Sequence, residues 1–164
     1  MTRVVVMGPS GSGKSLVGAA LAARLRAHFV DGDDLHPAAN VAKMRAGTPL
    51  DDADRAPWLD TVGATLARDP RIVVACSALR RTYRDRIRAT AADVLFVELV
   101  VLQEELRERM SRREHFMPPA LLDSQLSTLE PLTADERGVR VANDADLESV
   151  VSRIIAALDA QSLR

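Results

Sequence analysis

Gly8-Pro9-Ser10-Gly11-Ser12-Gly13-Lys14-Ser15 is a complete GxxxxGKS string, and what flanks it decides how it folds. An apolar run, Val4-Val5-Val6-Met7, precedes it, and the helical Leu16-Val17-Gly18-Ala19-Ala20-Leu21 follows. Strand, glycine-rich turn and helix in that order make a phosphate-binding loop. The glycines let the backbone curl so that successive N–H groups converge on phosphate oxygens, and the helix N-terminus adds positive potential beneath them. Lys14 is then placed to bridge phosphate oxygens, and the Ser15 hydroxyl to hold Mg²⁺. Gly8, Pro9, Ser10, Gly11, Ser12, Gly13, Lys14 and Ser15 are thus the expected nucleotide site, with ATP and Mg²⁺ as the expected cofactors. The bland alternative, a strand-to-helix turn with no ligand, needs none of the fixed positions.

Outward from the loop, short β-branched runs alternate with helical patterns, as in parallel strands joined by crossover helices. The strand candidates are 3–7, 28–31, 71–76, 94–100 and 138–141, and the helix candidates lie near 14–27, 37–46, 54–68, 79–91, 102–113, 119–129 and 146–159. The first, third and fourth strands are almost continuously apolar, which fits strands covered on both faces. Leu102, Leu106 and Met110 recur at helical spacing, as do Leu122, Leu126 and nearby Leu129, and read as core stripes. Pro118-Pro119 breaks the chain between two helices. The fold class is therefore α/β, with residues 1–164 expected to form one domain.

Composition narrows the partners. Of 164 residues, 47% are apolar, enough for a sizeable core, and the formal net charge is -1. That balance gives no bulk attraction to nucleic acid or an anionic membrane, so anion recognition must be local. With one Trp, one Tyr and three Phe, none interleaved with the arginines, a nucleic-acid face is not expected. The lone Cys76 excludes an internal disulfide, and at the end of an apolar strand it reads as a small buried residue. No leader sequence or membrane-spanning stretch is apparent, and a cytoplasmic location is expected.

In open α/β sheets, chemistry sits just past the carboxyl ends of the strands. After the second strand comes Asp31-Gly32-Asp33-Asp34-Leu35-His36-Pro37. Carboxylates here can hold Mg²⁺ through its waters and accept a proton from a substrate hydroxyl, or simply cap the next helix. Asp33 is the favoured functional group, because phosphoryl transfer needs a hydroxyl set in line with the γ-phosphate. Further on, Asp54 reads as a helix N-cap with Pro57 in the first turn and Trp58 packed inside. Arg55 either grips a carboxylate in the pocket or pairs with Asp51 or Asp52.

The third strand ends in Cys76-Ser77, where a Walker B strand would end in Asp, so the metal must draw its acid from elsewhere, and Asp31 or Asp33 becomes the candidate. Arg80, Arg81 and Arg84 share one helical turn, as either a solvated basic face or an anion grip. Arg107, Arg109, Arg112 and Arg113 precede His115-Phe116-Met117 in a region, about 109–130, that reads as a lid; arginines there can neutralise the transferring group.

Taken together these blocks resemble the small P-loop gluconokinases, relatives of shikimate kinase and the nucleoside monophosphate kinases. The resemblance runs from Gly8 to about Leu132. It rests on the phosphate loop, on Asp31 to Pro37 continuing through Asn40, Lys43, Met44, Gly47, Pro49-Leu50, Asp54-Arg55 and Pro57-Trp58-Leu59, on Cys76-Ser77-Ala78-Leu79 with Tyr83-Arg84-Asp85, and on His115-Phe116-Met117 with Gln125-Leu126 and Leu129-Glu130. It implies a three-layer sandwich with a five-stranded parallel sheet and a helical lid. It also implies ATP-dependent phosphorylation of D-gluconate at the 6-hydroxyl, and a homodimer. Carried over by position, Lys14, Asp33 and Arg113 are the catalytic candidates; Asp33, His36, Arg55, Arg81 and His115 the substrate contacts; Arg109 a nucleotide contact; Ser15 and, through water, Asp31 the metal ligands. Two positions depart from the family pattern: Pro9 where Val is frequent, and Glu114 where Gly is frequent. The rival readings are a shikimate kinase-like enzyme and a non-catalytic ATP-dependent switch; the switch leaves Asp33, His36 and Arg55 without a role.

Overall fold

The computed structural model describes residues 1–112 and 120–163. The apolar run that opens the chain becomes β1 (Thr2–Met7), whose Val4, Val5, Val6 and Met7 are fully buried. Such a strand needs cover on both faces and neighbours on both edges, and it lies at the centre of the sheet order β2-β3-β1-β4-β5. Its neighbours are β3 (Arg71–Ala75) and β4 (Leu95–Val100), and the edges are β2 (His28–Asp31) and β5 (Gly138–Ala142), with every pairing parallel.

Alternate residues of the strands feed two cores. Val4, Val6, Val73 and Val97 pack against α1 (Lys14–Leu25) and α7 (Leu147–Ser162). Val5, Met7, Val74 and Phe96 pack on the other face with Trp58, Leu59 and Val62 of α3 (Asp52–Arg68) and Tyr83 and Ile87 of α4 (Arg81–Thr90). The remaining helices, α2 (Ala38–Arg45), α5 (Gln103–Arg112) and α6 (Ala120–Thr128), stand at the carboxyl ends of the strands.

The start of α3 differs from the sequence reading. Asp51, not Asp54, is the N-cap: its carboxylate accepts the Asp54 N–H at 2.7 Å while the Asp54 carboxylate accepts the Asp51 N–H at 3.0 Å. This reciprocal box satisfies two orphan donors at once, which Asp54 alone as cap would not. Pro57 consequently falls in the second turn, where its missing N–H leaves the Ala53 carbonyl without its helical partner. Between β2 and α2 the stretch Gly32–Leu35 forms a 3-10 turn, with Asp31 as its N-cap.

Candidate active site

Because all five strands run the same way, β1, β2 and β3 deliver their carboxyl ends to one edge of the sheet. Two adjoining hollows lie there. One is lined by Gly11, Gly13 and Ser15 of the phosphate loop and by Leu16 just after it. The other is lined by His36, Arg55, Trp58, Ser77 and, from α6, Ser124 and Gln125. Ser10, Lys14 and Asp33 line both.

The phosphate loop is braced from behind. Gly13, at the N-cap of α1, has φ of 89°, which an L side chain rarely adopts. Arg109 of α5 donates to the Gly11 carbonyl at 3.0 Å, and Asn143, just past β5, donates to the Ser12 carbonyl at 2.7 Å. Carbonyl and N–H point oppositely across a trans peptide, so tying the Ser12 carbonyl from outside turns the Gly13 N–H inward. Pro9 uses only its carbonyl here, accepting the Ser12 N–H at 3.1 Å. The Ser10 N–H donates to Gln125 Oε1 at 2.7 Å, so α6 reaches the loop directly.

Asp31 does two things with its two oxygens. Oδ2 accepts the Ser15 hydroxyl at 2.8 Å, and Oδ1 accepts the Asp33 N–H at 3.0 Å. The second bond makes the turn that carries Asp33 toward Lys14. Gly32 between them is required by space: a Cβ there would lie 2.4 Å from the Ala75 carbonyl oxygen. Ser15 and Asp31 are hard oxygen donors of the kind Mg²⁺ takes, and among the described residues no cluster of three acidic, His or Cys side chains competes with them. The ion would draw its other ligands from water and phosphate.

On the far side of the cavity, Arg55 is held rather than loose. Its guanidinium donates to the Tyr83 hydroxyl at 3.0 Å and stands 5.2 Å from the Tyr83 ring centroid, and Tyr83 in turn donates to Asp52 at 2.6 Å. Asp52 Oδ1 is 3.9 Å from Arg55, so the residue keeps an ion pair while facing the cavity. The half-buried His36 ring stacks on Trp58 with centroids 4.0 Å apart, and Trp58 Nε1 donates to the Gly32 carbonyl at 2.8 Å. Burial, and after it the Arg55 charge, hold the His36 pKa down at about 4.

Several sequence candidates sit elsewhere. Arg81 is not brought to the cavity; it forks onto Asp135 at 3.0 and 2.7 Å, on the outer side of α4. Arg84 is neither a solvated face nor an anion grip, because it is fully buried and bonded to both carboxylate oxygens of Glu136. Arg107 pairs with Asp123, and Arg112 with Glu108. Arg113 and His115, with the middle of the expected lid, lie outside the described residues. Cys76 is fully buried, and burial pushes its thiol up to about 12, as befits a packing residue.

A profile described as an AAA domain matches residues 4–132. The gluconokinase of Gluconobacter oxydans (strain 621H) is 45% identical, over 96% of this chain and 92% of that one. The crystal structure of a gluconokinase from Sinorhizobium meliloti 1021 superposes with a TM-score of 0.88 at 46% identity, covering 97% of this chain and 92% of that one. The chain belongs to the gluconokinase family. A shikimate kinase from Bacteroides thetaiotaomicron shares the fold, with a TM-score of 0.72 at 19% identity over 96% of this chain and 98% of that one.

Among gluconokinase-family positions, sequence reasoning assigned no role to Asn40, Gln125 or Ser77, which the fold gathers at or beside the cavity. Asn40 stands four residues after His36, a spacing that hints at contact; nothing local in the sequence ties Gln125 to Ser10, 115 residues away.

Proposed function

We propose that this protein transfers the γ-phosphoryl of ATP to the 6-hydroxyl of D-gluconate, giving 6-phospho-D-gluconate and ADP. The observation that carries this reading is that Ser10, Lys14 and Asp33 line both hollows. A group leaving one hollow for the other passes between a fixed cation and a carboxylate, which is what phosphoryl transfer to a hydroxyl needs.

In this reading the phosphate-loop amides and Lys14 hold the β- and γ-phosphates and stabilise the charge that spreads over the γ-phosphoryl oxygens. Asp33 orients the 6-hydroxyl and takes its proton as the oxygen attacks. Arg55 grips the carboxylate at the other end of the chain, and His36 contacts a hydroxyl. Arg109, whose guanidinium already lies on the loop, and Arg113 supply further charge. Ser15 and, through water, Asp31 would hold Mg²⁺, which would supply positive charge against the phosphates. The family reading also carries His115 as a sugar-acid contact, a cytoplasmic site of action and a homodimer. No described helix is long and apolar enough to cross a membrane. Sedimentation equilibrium checks the dimer.

The deciding assay is ADP release coupled to NADH oxidation, with gluconate, 6-deoxygluconate, shikimate or no acceptor. Gluconate-dependent turnover that disappears with 6-deoxygluconate is expected. ATP hydrolysis indifferent to every acid would sink the proposal.

A further inference from the structure

Asn40 is 3% exposed on α2, beside the cavity. Its Nδ2 lies 2.8 Å from the backbone carbonyl oxygen of Asp54 and 3.2 Å from His36 Nδ1. The first contact orients the amide, because a carbonyl oxygen only accepts and must meet the NH₂ end. The same NH₂ therefore faces His36, and Nδ1 must receive it on a lone pair. A neutral imidazole that accepts at one nitrogen carries its proton on the other. The stack on Trp58 fixes the plane of the ring, and the Asn40 bond fixes which edge faces α2.

We propose that Asn40 is a positioning residue: it holds His36 as a neutral imidazole protonated on Nε2, so that the cavity offers its polyhydroxy acid an uncharged hydrogen-bond donor at this point. The identity of that acid rests on the gluconate reading above; the tautomer does not.

The charges around the ring agree. Arg55 from α3, Lys14 from the phosphate loop and Asp33 from the 3-10 turn line the same cavity, and the Asp54 carboxylate behind Asn40 is occupied by Lys43 at 2.8 and 2.9 Å. A proton on Nδ1 would point at the Asn40 NH₂, donor against donor, and a second proton on the ring would set an imidazolium beside Arg55. The consequence is chemical selectivity. Arg55 provides a cation for the substrate carboxylate, whereas a second cation at His36 would also retain the more highly charged phosphorylated product.

The test is a long-range ¹H–¹⁵N correlation of the histidine side chains in the full chain from pH 5 to 8, with H28Q to simplify the spectrum. His36 should show an unprotonated Nδ1 and a protonated Nε2 throughout. A proton on Nδ1, or an imidazolium at pH 6, overturns the proposal in the wild-type protein, without any variant having to fold. Asn40→Asp gives Nδ1 a carboxylate to donate to, so it should reverse the tautomer and raise the gluconate KM about tenfold, the value of one hydrogen bond, with kcat little changed. An unchanged KM with a reversed tautomer removes the donor role. Adding gluconate should shift the Nε2–H signal; no response in an enzyme that turns gluconate over also overturns the proposal. If the coupled assay shows no gluconate-dependent ADP release, the substrate reading is what fails, and the wild-type tautomer still decides the role of Asn40.

Discussion

The Ser15 hydroxyl donates to Asp31 Oδ2 at 2.8 Å, joining the first turn of α1 to the end of β2 across 16 residues of sequence. In the proposed metal site this pair stands in for the acid that Cys76-Ser77, just past β3, does not provide. Asp31→Asn keeps an oxygen to accept the Asp33 N–H and removes the charge. The Mg²⁺ concentration for half-maximal activity should rise about 10- to 100-fold, with turnover recovering at high Mg²⁺. A Mg²⁺ activation curve that superimposes on the wild type would take Asp31 out of the metal site.

Asp33 lines both hollows, and its backbone N–H is tied to Asp31 Oδ1, a bond that a change of its side chain does not remove. Asp33→Asn should therefore leave the backbone in place. Turnover should fall by about 10² to 10⁴, while ATP affinity measured by equilibrium titration stays within a few-fold. Near-normal turnover would show that the carboxylate does no chemistry.

Arg55 owes its direction to Tyr83, through the hydroxyl bond and the ring face. Arg55→Lys keeps the charge but loses the planar fork, and charge-assisted hydrogen bonds are worth about 1.5–3 kcal/mol. The gluconate KM should rise about 10- to 100-fold. Tyr83→Phe should raise it by less, since the ring still carries the guanidinium. If initial-rate kinetics show kcat falling instead of KM rising, Arg55 acts on the transition state and not on the carboxylate.

What the sequence made legible follows from how far apart the interacting residues are. β1, the phosphate loop and the Asp31–Asp33 turn are local patterns, each written within a few residues, and the structure brings them together as expected. Asp54 reads as the cap of α3 in sequence, but Asp51 and Asp52 are equally acceptable caps, and only the reciprocal bonds between Asp51 and Asp54 single out Asp51. Arg81 and Arg84 were misread because their partners, Asp135 and Glu136, lie 54 and 52 residues away. A basic helical turn looks the same whether it faces water, phosphate or a buried carboxylate. Gln125 on Ser10 is a side-chain bond across 115 residues that no periodicity encodes.

The Arg84–Glu136 pair is the most deeply placed charge in the molecule's described core. Arg84 is fully buried and also donates to the Ala78 and Glu130 carbonyls at 3.0 Å, so it ties the turn after β3 to the segment after α6. Burial favours protonated Glu136, but bonds from Arg84, the Thr133 N–H and Arg88 outweigh it and hold the carboxyl down at about 2. Arg84→Met strands that carboxylate, at a cost of about 3–5 kcal/mol in urea denaturation. A loss under 1 kcal/mol would mean that Arg88 alone satisfies Glu136.

Acid should weaken the fold in two separable windows. His36 is neutral in the folded chain until pH falls to about 4, whereas an unfolded histidine takes up its proton near 6.5. Between those values the unfolded state binds more protons, so stability falls as pH drops from 6.5 toward 4, by no more than one proton's worth of slope. Glu136, ionised in the fold down to about 2, loses its contribution only below the ordinary carboxylate range near 4.5. Urea midpoints taken from pH 8 to 4.5 should therefore decline more steeply for the wild type than for His36→Gln, which has no proton to gain. Parallel curves would place the acid sensitivity elsewhere, and a steeper decline in the variant would mean that the ring is protonated in the fold, against the lone-pair geometry set by Asn40.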